Sequence, residues 1–97
     1  MLKIKYSGKM KKDLKTCQKR GYDFTLLEHI LEKLQTPEPL DIKNRDHNLK
    51  GNYTGFRECH ISSDWLLIYR YGDGCLELSR TGTHADLFGI YERRKIM

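Results

Sequence analysis

This chain has few cysteines, few prolines and no long hydrophobic run. Among its 97 residues there are three cysteines, two prolines and one tryptophan. Cys17, Cys59 and Cys75 show no CxxC or CxxxC spacing, so we expect neither a disulfide framework nor a structural zinc site. No apolar segment reaches membrane-spanning length, and the N-terminus lacks the pattern of a signal peptide. We therefore expect a cytoplasmic protein that does not associate with a membrane.

Acidic residues are nearly missing from the first part of the chain. Residues 1–20 carry eight lysines and arginines but only one acid, Asp13, whereas the whole chain has a net charge of +5. The basic excess is therefore a local block, which includes Lys9, Lys11, Lys12 and Lys15. Such a block can attract a polyanion such as RNA. The alternative is an ordinary solvated helix face.

The periodicity of the apolar residues predicts one strand and two helices in the first third of the chain. Leu2, Ile4 and Tyr6 alternate with lysines, as in a half-buried strand. A first helix is predicted over residues 9–20, after a possible cap in Ser7-Gly8 and before Gly21. A second helix should end before Pro37. Its start can be capped by Asp23, or by Thr25 together with Glu28.

The rest of the chain predicts an antiparallel sheet. Residues 40–55 are polar and predict a long connection with at most a short strand. Three strands follow at about 56–61, 65–71 and 75–80, separated by a turn at residues 62–64 and a hairpin signal at Gly72-Asp73-Gly74. We therefore predict one α+β domain over residues 1–97, since this length supports a single core. Its order is an N-terminal strand, two helices and a β-meander, with both helices on one sheet face.

Three of the four histidines, His47, His60 and His84, lie beyond the predicted helices, in the part of the chain that holds the predicted meander and the connection before it. The period of two in a strand places Glu58 and His60 on one side, and an extended chain beyond residue 80 would place Arg80 and His84 on one side. We expect these side chains on the sheet face without helices. His47 and Asp46 could approach from the long connection. The register that would bring them together is not determined by the sequence.

Imidazoles near a carboxylate and a guanidinium suit cleavage of RNA by its own 2′-OH. The protein must accept a proton from the 2′-OH, donate one to the leaving 5′-oxygen and stabilise the charged phosphate. Phe88 could stack on a base. Each group also has an ordinary structural alternative: a buried or surface histidine, a Glu58–Arg80 ion pair, or a Phe88 core contact. A metal site is disfavoured, because the chain has no HxH or HxxxH pair.

Three ordered stretches carry a resemblance to a known family. They are Asp46-His47-x-Leu49-x-Gly51-x-x-x-Gly55-Phe56-Arg57-Glu58-Cys59-His60, Asp64-Trp65-Leu66-Leu67-Ile68-Tyr69 and Arg80-Thr81-Gly82-Thr83-His84-x-x-Leu87-Phe88-Gly89. Together with the order of the elements, they make residues 2–89 similar to the YafQ-type branch of the RelE/ParE toxin superfamily. Residues 90–97 lie beyond these motifs, and we expect a basic, flexible tail without an assigned function.

The resemblance implies a type II toxin that cuts mRNA without a metal ion or another cofactor, usually on the ribosome, with a DinJ/RelB-like antitoxin as its partner. It implies catalytic or positioning roles for His47, His60, Asp64, His84 and Glu58. It implies substrate-binding roles for Arg80, Phe88 and Arg57, and contact of Lys9, Lys11, Lys12 and Lys15 with ribosomal RNA. Glu58 stands where similar toxins often have Asp, so orienting His60 or contacting the antitoxin are alternatives to proton transfer.

The sequence leaves two competing functions open. The first is a ParE-like sibling with the same fold, which binds gyrase and has no nuclease activity. Three histidines on a pure binding surface would be unnecessary, which argues against it. The second is a plain nucleic-acid-binding module that uses the lysine-rich helix as its contact surface.

Overall fold

Two helices pack against one face of a five-stranded sheet in the computed structural model, which describes residues 1–89. The elements are β1 (Lys3–Tyr6), α1 (Gly8–Lys19), α2 (Phe24–Gln35), β2 (His47–Asn48), β3 (Arg57–Ser62), β4 (Trp65–Gly72) and β5 (Cys75–Gly82). Short 3₁₀ turns occupy Ile42–Asn44 and Gly51–Tyr53, and residues 84–89 are helical. The predicted α+β fold is confirmed. The predicted tail, residues 90–97, lies outside the described residues. Within residues 1–89, no helix combines the length and apolarity needed to cross a membrane.

The helix ends follow from local side-chain chemistry. The Ser7 hydroxyl accepts a hydrogen bond from the Met10 backbone N–H at 2.9 Å and begins α1. Gly21 follows that helix with a φ of 76°, a left-handed conformation that glycine adopts without strain. Asp23 accepts the Thr25 N–H at 3.0 Å and begins α2. Of the two caps predicted for α2, Asp23 is therefore the one that the structure uses.

The strand order of the sheet is β1-β5-β4-β3-β2. The predicted meander of β3, β4 and β5 is antiparallel, while β1 pairs in parallel with β5. One side of β4, formed by Trp65, Leu67 and Tyr69, packs against the helices as part of the main hydrophobic core. All three cysteines are buried and unpaired. Packing of this apolar side orients the opposite side of the same strands away from the helices.

That second sheet face is less open than the sequence predicted. Leu66 and Ile68 of β4 are fully buried there, together with Leu87 from the helical segment 84–89. The partly buried residues packed on them are Leu49, Tyr53, Phe56 and Phe88. The expectation of an uncovered face was wrong in this respect, because β4 is apolar on both sides and needs cover on both. The cover comes from the connection before β3 and from the chain after β5.

Helix α1 also closes an exposed edge of β5. β1 pairs only with residues Cys75 to Leu78, so among the described residues no strand pairs with the rest of β5 on that side. The Ser7 hydroxyl donates to the Ser79 carbonyl at 2.7 Å, and the Thr81 N–H donates to Asp13 Oδ2 at 3.1 Å. These side chains replace the missing strand, since unpaired backbone groups at an edge must find other partners.

Candidate active site

The strand register brings the predicted polar residues to one face of the sheet. Glu58 lies opposite Ile68, which lies opposite Arg80. His60 lies opposite Leu66 on the next row, and Leu66 lies opposite Gly82. Residues in one such row project to the same face. The face is the one without the two helices, because Leu66 and Ile68 are outside the helix-facing core.

Glu58 is the buried centre of this cluster. Glu58 is only 4% exposed. Its Oε1 atom lies 3.2 Å from His47 Nε2 and 3.9 Å from His60 Nε2. Its Oε2 atom is buried and has no hydrogen-bond partner among the described residues. A buried carboxylate oxygen without a partner is costly for stability, so such an atom is more typical of a functional site than of a structural one.

His47 reaches Glu58 because β2 pairs with β3 and places the two residues opposite each other. The Nδ1 atom of its half-exposed ring lies 3.1 Å from the Asn48 carbonyl oxygen. Both ring nitrogens thus face acceptors, and both can donate at once only in the imidazolium form. Asp46, one residue earlier, accepts the Tyr69 hydroxyl at 2.6 Å. This anchor on the helix side of the sheet fixes the strand that carries His47.

The His60 side chain is more buried than those of His47 and His84. Burial lowers the pKa of His60 below its usual value of 6.5; Glu58 opposes this shift, while the charges of His84 and Arg45 add to it. A ring with a lowered pKa is neutral at pH 7 and can accept a proton. The centroid of the ring is 5.7 Å from that of His84.

His84 is oriented by an acid. Its Nδ1 atom lies 2.7 Å from Asp64 Oδ1, which also accepts the His84 backbone N–H at 3.0 Å. A carboxylate on one ring nitrogen fixes the tautomer and the orientation of the ring. The ring of Phe88 is 6.4 Å from that of His84, one helical turn further along the chain. Phe88 is partly buried, so it both packs on the second core and borders the imidazoles.

The helical segment that carries His84 is held by Asp86, a residue for which no role was predicted from the sequence. Asp86 Oδ2 accepts the Thr83 N–H, and the Thr83 hydroxyl accepts the Asp86 N–H, a reciprocal capping box. Arg20, at the end of α1, donates two hydrogen bonds to the same carboxylate at 2.6 and 3.1 Å. The Arg20 guanidinium holds the pKa of Asp86 well below its usual range. The Thr83-x-x-Asp86 spacing was the signal in the sequence.

Arg80 does not pair with Glu58, which was one of the open alternatives. Its Nε and Nη2 atoms donate to Asp13 at 2.7 and 3.2 Å. Both side chains are mostly buried, at 19% and 15% exposure, and hydrogen bonding to Asp13 raises the pKa of Arg80. The single acid of the basic segment thus fixes Arg80 against α1. The substrate-binding role that the family resemblance implies for Arg80, which is to stabilise the charge on the phosphate, stays a prediction.

The remaining predicted substrate-binding residues are Arg57 and four lysines of α1. Arg57 faces the helix side of the sheet, where it donates to Asp46 at 3.2 Å and to Asn48 at 2.7 Å. The structure does not bring Arg57 together with His60 and His84. The four lysines are all exposed on α1, namely Lys9, Lys11, Lys12 and Lys15.

A groove of about 650 Å³ opens beside the two closest imidazoles. It is lined by Leu26, Lys43, Asn44, Arg45, His60, Ile61, Ser62, Ser63 and His84. Asn44 is buried and donates to the His60 carbonyl at 2.7 Å, which ties the connection to β3. No role was predicted from the sequence for Lys43 or Arg45. Their position directly before Asp46-His47 was the available signal.

The cluster also has the donor set for a metal ion. Glu58, His60 and His84 each offer one ligand atom, and these atoms all lie within 4.8 Å of one another. The unpartnered Glu58 Oε2 adds a further acceptor. Imidazole and carboxylate donors fit zinc or copper. The absence of HxH and HxxxH pairs does not exclude such a donor set, because the three donors come from two separate segments of the chain. A metal ion here would use the same ring nitrogens that proton transfer requires.

The comparisons with known proteins agree with this architecture. A family model described as "Bacterial toxin of type II toxin-antitoxin system, YafQ" matches residues 2–89. The curated mRNA interferase toxin YafQ of Escherichia coli strain K12 is 44% identical over 87 residues, which are 89% of this chain and 95% of that protein.

Solved structures show the same fold. A copper-bound mutant toxin from Helicobacter pylori has 40% identity and a TM-score of 0.87, with 91% of this chain and 100% of that chain covered. A structure of the E. coli DinJ–YafQ complex gives 41% identity and a TM-score of 0.82, with 92% and 100% covered.

The fold and the site together define a small endoribonuclease toxin of a type II toxin–antitoxin system. Within that class, the chain belongs to the YafQ family. The family assignment made from the sequence motifs is thereby confirmed. The alternative of a gyrase-binding toxin without nuclease activity is not favoured by these comparisons.

Proposed function

We propose that this protein cleaves mRNA by attack of the substrate 2′-OH, with histidines as proton donor and acceptor and without a resident metal ion. The observation that carries the proposal is the convergence of His47, His60 and His84 around the buried Glu58. RNA supplies its own nucleophile, so the protein has only to move protons and stabilise charge. The names of the curated relatives, which are mRNA interferases, support the choice of substrate.

The two closest imidazoles differ in a way that suits opposite roles. His60 is held neutral by burial, so it would accept the proton of the 2′-OH. His84 is oriented by Asp64 through Nδ1, which leaves its other ring nitrogen to carry the proton that it would donate to the leaving 5′-oxygen. His47 would orient Glu58 and balance its charge. The products would carry a 2′,3′-cyclic phosphate and a 5′-OH.

We further propose that the partner is a DinJ-like antitoxin, because the E. coli relative is seen in a DinJ–YafQ complex. Cleavage would take place in the cytoplasm on the translating ribosome, with the exposed lysines of α1 as the contact for ribosomal RNA. These lysines share α1 with one acid, Asp13, which is paired with Arg80, so the positive excess of the helix supports this contact by long-range attraction.

The decisive experiment is to map the ends of the cleaved RNA and to repeat the reaction with a 2′-deoxy residue at the cut site. We expect 5′-OH ends and no cleavage at the deoxy position. The reaction should keep its rate in EDTA, whereas added zinc should slow it by occupying the imidazoles. Loss of cleavage in EDTA, with recovery on adding a metal, would show that the metal-free mechanism is wrong.

A further inference from the structure

The described part of the chain contains five arginines, and four of them are paired with carboxylates. The pairs are Arg20–Asp86, Arg57–Asp46, Arg70–Glu77 and Arg80–Asp13. Arg45 is the exception within residues 1–89: its side chain is exposed and makes no ion pair with them. A guanidinium without a carboxylate keeps all its donors available for a ligand.

Arg45 stands at the active site and not elsewhere on the surface. It lines the groove that His60 and His84 border. It is close enough to His60 for its charge to act on that ring. The residues on either side of Arg45 are fixed, since Asn44 donates to the His60 carbonyl and Asp46 accepts the Tyr69 hydroxyl.

The backbone at Arg45 also indicates a constrained position. Arg45 has a φ of 46° and a ψ of 49°, the left-handed region, which costs a residue with a Cβ about 1 kcal/mol. Its N–H closes the 3₁₀ turn by donating to the Ile42 carbonyl at 3.0 Å. The adjacent anchors hold this strained residue, so the direction in which its side chain leaves the backbone is set by the fold.

We infer that Arg45 binds a phosphate of the RNA strand in the groove and supplies the guanidinium beside the reacting histidines that was expected of Arg80. The inference rests on the proposed function, since it concerns the same substrate. An arginine in this position can hold two phosphate oxygens at once, which fixes the phosphate against His60 and His84. Lys43, exposed on the same wall of the groove, adds positive charge without such geometry.

The test separates binding from cleavage by using a single-stranded RNA oligonucleotide with 2′-methoxy groups, which cannot be cut. The variant is Arg45→Asn, because asparagine tolerates the left-handed backbone and removes only the guanidinium. We expect at least about a tenfold loss of affinity. The slope of log affinity against log salt should become shallower by about 0.7, the value for one phosphate contact on a single strand.

Two matched variants complete the design. Arg45→Lys keeps the charge but loses the planar fork, so it should keep the wild-type salt slope with an intermediate affinity. Arg70→Gln removes an arginine that is paired with Glu77 outside the groove, and should keep both affinity and slope. Wild-type affinity and slope in Arg45→Asn would overturn the inference while leaving the nuclease proposal intact. A wild-type protein that neither binds the methoxy RNA nor cuts ordinary RNA would overturn the proposed function, and the inference with it.

Discussion

The Nδ1 atom of His84 lies 2.7 Å from Oδ1 of Asp64, and the same oxygen accepts the backbone N–H of His84. One carboxylate oxygen thus fixes both the start of the helical segment 84–89 and the tautomer of the ring that it carries. The ring nitrogen opposite Nδ1 is left for the substrate. This pairing makes the acid–base role of His84 open to a direct test.

Removing either of the two closest imidazoles should affect turnover and not folding. We expect His84→Ala and His60→Ala to lower the cleavage rate by on the order of 10²-fold or more, the usual worth of positioned proton transfer. Asp64→Asn should cause a smaller loss of cleavage rate, because the His84 imidazole remains and only the negative charge of its partner is removed. His29→Ala changes an exposed histidine on α2 and serves as the control. Wild-type rates in both active-site variants, with urea unfolding unchanged, would contradict the proposed chemistry.

The titration of His60 should report its buried position. We expect an NMR midpoint below 6.5, measured with a chelator present, because burial disfavours the charged ring. Glu58→Gln should lower the midpoint further, since the Glu58 charge opposes the shift. His84→Ala should raise it. Because His60 has a lower pKa in the folded protein than in the unfolded chain, the unfolded chain binds its proton more tightly. The folded protein should therefore lose stability as the pH falls below about 6.5. An unchanged midpoint in Glu58→Gln would show that the two groups are not coupled.

The pair of Asp13 with Arg80 should contribute to stability. Asp13→Ala leaves the Arg80 guanidinium and the Thr81 N–H without their acceptor. We expect the free energy of unfolding in urea to fall by about 2 kcal/mol, the typical cost of unpaired, mostly buried polar groups. The double variant Asp13→Ala/Arg80→Gln should lose less than the sum of the two single changes. Strict additivity would mean that the pair has no energetic coupling.

Gly82 should be required for the position of His84. Its φ is 151°, and a Cβ there would lie 2.7 Å from Asp86 Oδ2. Gly82→Ala should therefore displace Asp86 from Thr83 and Arg20, with a cost of about 1–3 kcal/mol and a loss of cleavage rate. Gly8→Ala is the matched control, because Gly8 lies in α1 with open space around its Cα and should gain stability. Equal effects of the two substitutions, measured by unfolding and by turnover, would refute this role of Gly82.

The alternation in β3 predicts Glu58 and His60 on one side of the sheet from the sequence alone, since the strand period is a local property. The same reasoning could not find Asp13 as the partner of Arg80, because 67 residues separate them and α1 must first pack on the edge of β5. It also could not show that Leu66 and Ile68 need a second core, since their cover comes from two distant segments.

The sequence by itself determined the order of the elements, the start of α1 near Ser7, the end of α2 before Pro37, the family and the set of histidines. Periodicity, capping and ordered motifs all depend on residues that are close together in the sequence. Only the tertiary structure decided which charges meet. Arg80 pairs with Asp13, whereas Arg45 lies beside His60 without a carboxylate partner among residues 1–89, because ion pairs between distant segments depend on how the helices and connections pack around the sheet.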